Sequence, residues 1–291
     1  MRNLPAQLLK RTSLLYALLA ALSVLVMALG SALFAPQLSR WEERLASNTW
    51  SLANSSATER RVVVVDIDEK STQALGPWPW PRERMASLLS GLNAYGVNLK
   101  VVDVLFDGET DKTQDAVLAQ ALQSGAPTVI SQLFALNPDA QVKSGQLSGH
   151  LLSQNDASQC PAASTAAYGY LAPAAPFVLD GITVGHISPI VDADGGIRRV
   201  PALVCFGGKT YPSLAVAALS AATGAAPSLQ TQSGLSKPSL VLDIGGLQLP
   251  VDAQGQMRVS YQMPRSGFVS VSAVDVIQGK VPSSLLKGAW V

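Results

Sequence analysis

The sequence predicts an α/β protein: an amino-terminal transmembrane helix, then a mostly parallel sheet with flanking helices and an antiparallel hairpin and meander portion. Three observations predict it. No charged residue falls between Arg11 and Arg40, so one long apolar run opens the chain. From Arg61, β-branched runs alternate with segments of helical apolar spacing, the order in which a parallel sheet is built. Beyond residue 183 the apolar runs shorten and Gly- and Asp-rich turns separate them, as in antiparallel pairing. Only 14% of the 291 residues are charged, and 21 Lys and Arg nearly cancel 20 Asp and Glu. A disordered chain is excluded, and no global positive field exists to hold a nucleic acid.

Residues 14–35 are almost wholly Leu, Ala, Val, Met and Phe. At about 1.5 Å per residue, a helix of that length crosses a hydrocarbon core of about 30 Å. Arg2, Lys10 and Arg11 precede it, so residues 1–13 are expected in the cytoplasm and the bulk of the chain outside it. A cleaved signal peptide is the competing reading, but its apolar segment usually spans about 7 to 15 residues, and Pro36 stands where a peptidase would need to cut. The expectation is therefore an integral anchor. In residues 36–60, Leu38, Trp41, Leu45 and Leu52 fall at three- and four-residue steps, with Asn48 in the remaining place. That spacing fits a short two-stranded seam, hence a homodimer stalk, and fits equally a helix packed on its own domain.

Residues 61–291 are expected to form one extracytoplasmic domain. Val62 to Val65, ending in Asp66, reads as a strand buried on both faces. Pro81 can open a helix whose Met85, Leu88, Leu89 and Leu92 share a face and whose end is Gly96. Leu99 to Leu105 reads as the next strand, and Thr113 as the cap of a helix carrying Val117, Leu118, Ala121 and Leu122. Thr128 to Leu133 reads as a third strand. A polar insertion runs from Asn137 to about Tyr168. Thr183 to Val191 and Ile197 to Phe206 then form a hairpin about the turn Asp192 to Gly196. Pro212 to Ala222 is a helix, residues 225–238 a loop, and residues 240–244, 247–251 and 257–261 a meander. Val271 to Gln278 reads as a helix, and Ala289-Trp290-Val291 as the opening of another buried strand, which gives the expectation of a carboxyl-terminally truncated fragment.

Two acidic residues, Asp66 and Asp68, come after the first strand, and Asp103 and Asp107 after the second. Open α/β sheets place ligands at that end of their strands. The carboxylates can converge on a cation or phosphate, or serve as helix caps and loop acceptors. The segment Gly76-Pro77-Trp78-Pro79-Trp80-Pro81-Arg82 is held extended by its prolines and presents two indoles, as a recognition lip or as a plug over the core. Asp192, Asp194 and Gly195 resemble part of a calcium loop without its later ligands and read as a turn. No GxSxG, GxxxxGK[ST] or HExxH motif occurs. Neither a metal site nor a cofactor is expected. Cys160 and Cys205 fit no CxxC motif; in an oxidising compartment they can form one bridge or remain two thiols.

These motifs together resemble the second type of CHASE domain, the sensory extracellular module associated with bacterial cyclases and histidine kinases. The resemblance rests on Asp66, Asp68 and Ser71; on Gly76 and Trp78 to Arg82; on Asp103, Phe106 and Asp115; on Asp192, Asp194, Gly195, Arg198 and Arg199; on Pro212-Ser213-Leu214; and on Tyr261, Phe268 and the stretch from Gly279 to Lys287. It implies a receptor in the bacterial inner membrane, with this domain periplasmic or extracellular and a cytoplasmic cyclase, kinase or diguanylate cyclase output. Asp66, Asp68, Trp78, Trp80, Arg82 and Asp103 are the candidates for lining its sensing edge, toward an unspecified small ligand or protein stimulus. Two other readings stand beside it. Asp66-x-Asp68 and Ser131 look like parts of a haloacid-dehalogenase-type, magnesium-dependent phosphatase, although Lys70 replaces the usual Thr or Val and no double aspartate completes the site. A partner-binding ectodomain without a small ligand is the other.

Overall fold

The computed structural model describes residues 16–31, 33–34, 58–151, 160–192, 194–232 and 239–291. The chain divides into two units, Met1–Ser55 and Ser56–Val291. In the first, residues 16–31 form helix α1, whose Leu18, Leu22 and Val26 side chains are exposed. Among the described residues no helix is long and apolar enough to cross a membrane. The expected span of 14–35 is described only in part, and residues 36–57 of the expected stalk lie outside the described residues.

In the second unit, β1 (Glu59–Asp66) leads through α2 (Glu69–Leu75) to α3 (Arg82–Tyr95), β2 (Lys100–Val102), α4 (Lys112–Gln123) and β3 (Thr128–Ala135). The polar region holds β4 (Lys143–Ser144), β5 (Thr165–Ala166) and β6 (Gly169–Leu171). Then come β7 (Ile182–His186), β8 (Ile190–Val191), β9 (Ile197–Pro201), β10 (Leu203–Phe206) and β11 (Lys209–Pro212). Helix α5 (Leu214–Thr223) precedes β12 (Ser228–Gln232), β13 (Ser239–Ile244), β14 (Leu247–Val251) and β15 (Gln256–Arg258). Strand β16 (Phe268–Ser272), α6 (Ala273–Ile277) and α7 (Ser283–Leu286) close the sequence.

Parallel pairing joins β16 to β1, β2 to β3 and β3 to β7. The last residues of the chain connect the two groups. Trp290 bridges Val62 on one side and Leu99 on the other, both parallel. The bonds are Val63 N–H to Trp290 C=O (2.8 Å), Trp290 N–H to Arg61 C=O (2.8 Å), Val291 N–H to Leu99 C=O (2.9 Å) and Val101 N–H to Val291 C=O (2.6 Å). The sheet order is therefore β16, β1, residues 289–291, β2, β3, β7.

Side-chain alternation divides this sheet between two helical layers. Val63, Val102, Ile130 and Val184 pack with α3 and α4, whereas Leu99, Val129 and Trp290 pack with Leu214, Ala217 and Ala218 of α5. Leu89, Leu118 and Leu122 are fully enclosed, each burial stabilising the fold by about 1.5 to 3 kcal/mol. Helix α5 reaches β7 closely because Gly185 lacks a side chain: a Cβ there would lie 2.6 Å from Leu214 Cα. Capping sets the helix ends. Asp111 accepts from Thr113 and Gln114 N–H at the start of α4, Ser213 accepts from Val216 N–H at the start of α5, and Gly96 takes the left-handed conformation after α3 (φ 71°).

Several expectations are corrected. Strand β1 is not buried on both faces: Val63 is 1% exposed, but Val62 and Val64 are 39% and 40% exposed, because β1 is covered from the α3 side only. Strand β2 ends at Val102, short of Leu105. The cap of α4 is Asp111 rather than Thr113. The expected hairpin of 183–206 shrinks to β8 and β9; β7 instead joins β3 in parallel, and β10 pairs with β11. Part of the expected loop 225–238 is β12, which forms the meander with β13 and β14, while β15 pairs with β9. The expected helix of 271–278 begins as β16 and turns helical only at Ala273.

Candidate functional site

Because β1 and β2 are parallel, the residues just beyond them meet the same edge of the sheet. Asp66 closes β1 and is half-buried; Ser270 Oγ donates to it at 2.6 Å and Arg265 Nη2 at 3.1 Å. Asp68 caps α2 by accepting Ser71 N–H at 2.9 Å, and its other oxygen accepts Ser272 Oγ. The hydroxyl of Ser272, then that of Ser71, holds the Asp68 carboxyl below its ordinary pKa. Ser71 is buried and accepts Val274 N–H at 3.0 Å, while Lys70 pairs with Asp275 at 2.5 Å. Asp66 and Asp68 thus face β16, and Lys70 and Ser71 face α6. None of Arg265, Ser270 and Ser272 stands out in the sequence, and no local motif marks them: they reach the edge through a pairing some 200 residues long in sequence.

The proline-rich segment divides its indoles. Trp80 is 5% exposed and donates its Nε1–H to Gly76 C=O at 2.9 Å, so it plugs the core. Trp78 is 46% exposed and meets Trp80 in an inclined, edge-type arrangement at a centroid distance of 6.2 Å. Arg82 turns away from the edge. Its guanidinium lies 5.1 Å from the ring centroids of both Phe106 and Phe177, meets Asp115 Oδ1 at 3.2 Å and donates to Gly108 C=O at 2.5 Å. Asp115 is buried and also accepts Thr110 N–H and Oγ1–H. This is a latch binding α3, the 106–111 loop and α4.

Between β1 and β2, past Val291, lies a cleft of about 600 Å³. Val63 and Val65 wall one side and Val101 and Val102 the other; Met85, Leu88 and Leu89 of α3 form the floor, and Trp78 and Asp103 stand at the mouth. Asp103 is exposed as a residue, yet burial around its carboxyl raises its pKa. Of the six candidates, Trp78 and Asp103 share this cleft, Asp66 and Asp68 share the β16 side, and Trp80 and Arg82 serve packing. The carboxylates do not gather: among the described residues no group of three or more His, Cys, Asp or Glu side chains could hold a metal ion.

Away from this edge, the turn at Asp192 is an ion-pair knot. Arg198 meets Asp192 at 2.9 Å and Asp194 at 2.8 Å, and Arg199 meets Asp192 at 2.8 Å. Burial pulls Asp192 upward, but the two guanidinium hydrogen bonds outweigh it and its pKa falls. The fragment that resembled a calcium loop therefore already has its carboxylates neutralised. Cys160 and Cys205 are joined, with Cα atoms 5.8 Å apart, and the bridge ties the end of the polar region to β10.

A largely parallel sheet packed against helices, with Asp66, Asp68, Asp103 and the exposed indole of Trp78 placed just beyond the ends of two parallel strands, has the build of an α/β recognition domain. The family model for the CHASE2 domain matches residues 19–291, and the chain belongs to that family, a sensor domain of signalling receptors. No curated protein and no solved structure matches it.

Proposed function

We propose that the chain is the sensing part of a bacterial transmembrane receptor, in which residues 14–35 anchor it in the inner membrane, residues 36–60 form a dimeric stalk and residues 61–291 sense outside the cytoplasm. The output is a cytoplasmic cyclase, kinase or diguanylate cyclase carried elsewhere in the receptor. The observation that carries this reading is the CHASE2 match over almost the whole chain. The uncharged run from Thr12 to Ser39, behind Arg2, Lys10 and Arg11, supports the anchor and its orientation. A small ligand or protein stimulus acts at the carboxyl edge, where Asp66, Asp68, Trp78 and Asp103 stand, and it signals only if it binds two conformations of the dimer unequally.

The test has two arms. Reporter fusions after Lys10 and after Thr58 in the complete receptor are expected to report opposite sides of the inner membrane; the same side for both ends the anchor reading. Trp78→Ala and Asp103→Asn, both at exposed positions, are expected to change the stimulus dependence of output while the melting temperature is kept. An unchanged response with a folded domain removes the edge from the mechanism.

A further inference from the structure

The sheet ends at β7 on one side and at β16 on the other. The β7 edge is covered: His186 bridges Ser213, and a Cβ on Gly149 would stand 2.4 Å from the Val184 carbonyl oxygen. The β16 edge is open. Among the described residues β1 is its one strand partner, Ser270 is exposed and Phe268 is 37% exposed. Nothing in Phe268-Val269-Ser270-Val271-Ser272 guards that edge: the strand holds no charge and no proline, and its register with β1 is unbroken from Val269 to Ser272.

Ladder alternation fixes the groups that β16 presents. Arg61 C=O and Val63 N–H point at residue 290, so Val62 and Val64 point at β16. Val64 lies level with Ser270, so Val269 and Val271 return its bonds. Phe268 C=O, both backbone groups of Ser270 and Ser272 N–H therefore point outward. A two-fold axis at Ser270 makes this row its own complement: Ser270 exchanges both bonds with the second copy's Ser270, and each Ser272 N–H reaches the other copy's Phe268 C=O. The same register sets Val269 opposite the second copy's Val271 at both intervening positions, a β-branched pair that favours antiparallel strands.

We infer that the β16 edge docks a second copy of this chain, antiparallel and centred on Ser270, so that two sheets join across a two-fold axis. The pairing is short and forms between chains already tethered to each other; to that extent it rests on the dimeric reading proposed above. It brings Asp66 and Asp68, which accept from Ser270 and Ser272, near the axis. A stimulus at those carboxylates then acts directly on the contact between copies.

The experiment uses the 291-residue chain in detergent micelles, with the Cys160–Cys205 bridge intact. Ser270→Cys is expected to cross-link on mild oxidation, because residues facing each other in a hydrogen-bonded pair have Cα atoms about 5.5 Å apart, within disulfide reach. Val64→Cys, level with Ser270 but on β1, is the control: three strand spacings, about 14 Å, would part the two copies, and no cross-link is expected. Ser270→Pro removes an outward N–H without breaking a bond to β1. It is expected to keep the circular dichroism of the parent while the Ser272 amide exchanges about tenfold faster or more. A dimer by sedimentation in which Ser270→Cys does not cross-link overturns the edge and leaves the stalk standing. Equal cross-linking of both cysteine variants marks random collision and overturns it. Protection of the Ser272 amide in a monomer would place another part of the same chain on the edge, which also overturns it. A chain that is monomeric and unprotected overturns the edge and the dimeric reading together.

Discussion

Replacing Arg82 by Ala tests whether that residue is a latch or part of the sensing edge. The Arg82 and Asp115 side chains are 14% and 3% exposed, so their pairing at 3.2 Å is weakly screened. Removing one member of such a pair costs about 3 to 5 kcal/mol, chiefly by leaving the other charge buried. Asp115 would keep its two hydrogen bonds from Thr110, which places the loss near the lower end; losing contact with the Phe106 and Phe177 rings adds about 0.5 to 1 kcal/mol. A loss of about 3.5 to 4 kcal/mol in a domain of this size corresponds to a fall in melting temperature of about 7 to 16 °C. Arg82→Lys, which keeps the charge without the fork, is expected between the two. The double replacement Arg82→Met with Asp115→Leu is expected to recover most of the loss, because an apolar pair of similar volume avoids the desolvation cost. Circular dichroism melts of the chain supply the reading, alongside signalling of the complete receptor at a temperature where each variant is folded. If Arg82→Ala melts within about 2 °C of the parent and signalling is nevertheless lost, Arg82 contacts the stimulus and the latch reasoning fails.

Gly185→Ala would set a methyl 2.6 Å from Leu214 Cα, forcing α5 off β7 at a cost of about 1 to 3 kcal/mol; a denaturant midpoint equal to the parent's would show that the helix yields freely. His186 is buried against Phe134, accepts Ser188 N–H at Nδ1, and burial lowers its pKa to about 3. The unfolded chain, with an ordinary value near 6.5, takes up the proton first, so stability falls as pH drops below about 6.5 and continues to fall toward 3; at pH 5 the loss is about 2 kcal/mol. His186→Gln should flatten the stability profile between pH 7 and 5, and an unchanged slope would assign it to other groups. Reducing the Cys160–Cys205 bridge, which closes a 45-residue separation, is expected to cost about 2 to 4 kcal/mol; identical urea midpoints with and without reductant would contradict that.

The helices are the legible part of the fold, because their information is local. Met85, Leu88, Leu89 and Leu92 repeat at helical spacing and are all buried on α3, and the Gly96 stop stands where the sequence places it. Strand partners are not legible. Thr183 to His186 reads the same whether it pairs with the next strand along the chain or with β3, and α5 makes the choice: Gly185 admits Leu214 closely enough to cover that strand. For β1 the sequence overstates burial, since Val62 and Val64 are as apolar as Val63 and only the reach of the covering helices separates them. Helix α2 is too short for a period, yet Asp68 three residues before Ser71 is a capping signal. At the edge, Asp66, Asp68, Trp78 and Asp103 are legible because acidic and aromatic residues after buried strands are conspicuous. Serine and arginine from β16 and its preceding turn are ordinary wherever they stand, and only the tertiary pairing gives them a role.

That pairing also suggests how the edge is tied to the end of the chain. Asp66 and Asp68 lie at the close of the first strand, and their partners Ser270 and Ser272 lie on the last. Ser71, within α2, accepts the Val274 amide at the start of α6. Closeness alone does not establish coupling, and a double-mutant cycle does. A hydrogen bond from a neutral hydroxyl to a carboxylate contributes about 1.5 to 3 kcal/mol when enclosed; Asp68 is half-buried, so the expected interaction energy between Asp68→Asn and Ser272→Ala is about 1 kcal/mol in denaturant unfolding. Acid should reduce it, since Asp68 holds its proton off to lower pH only while Ser272 and Ser71 donate to it: its stabilisation is present above the unfolded pKa of about 3.9 and lost as pH falls through the lower folded value. Additive single losses at pH 7, within about 0.3 kcal/mol, would mean that the first and last strands share an edge without sharing energy, and that a stimulus bound at Asp68 has no route through Ser272.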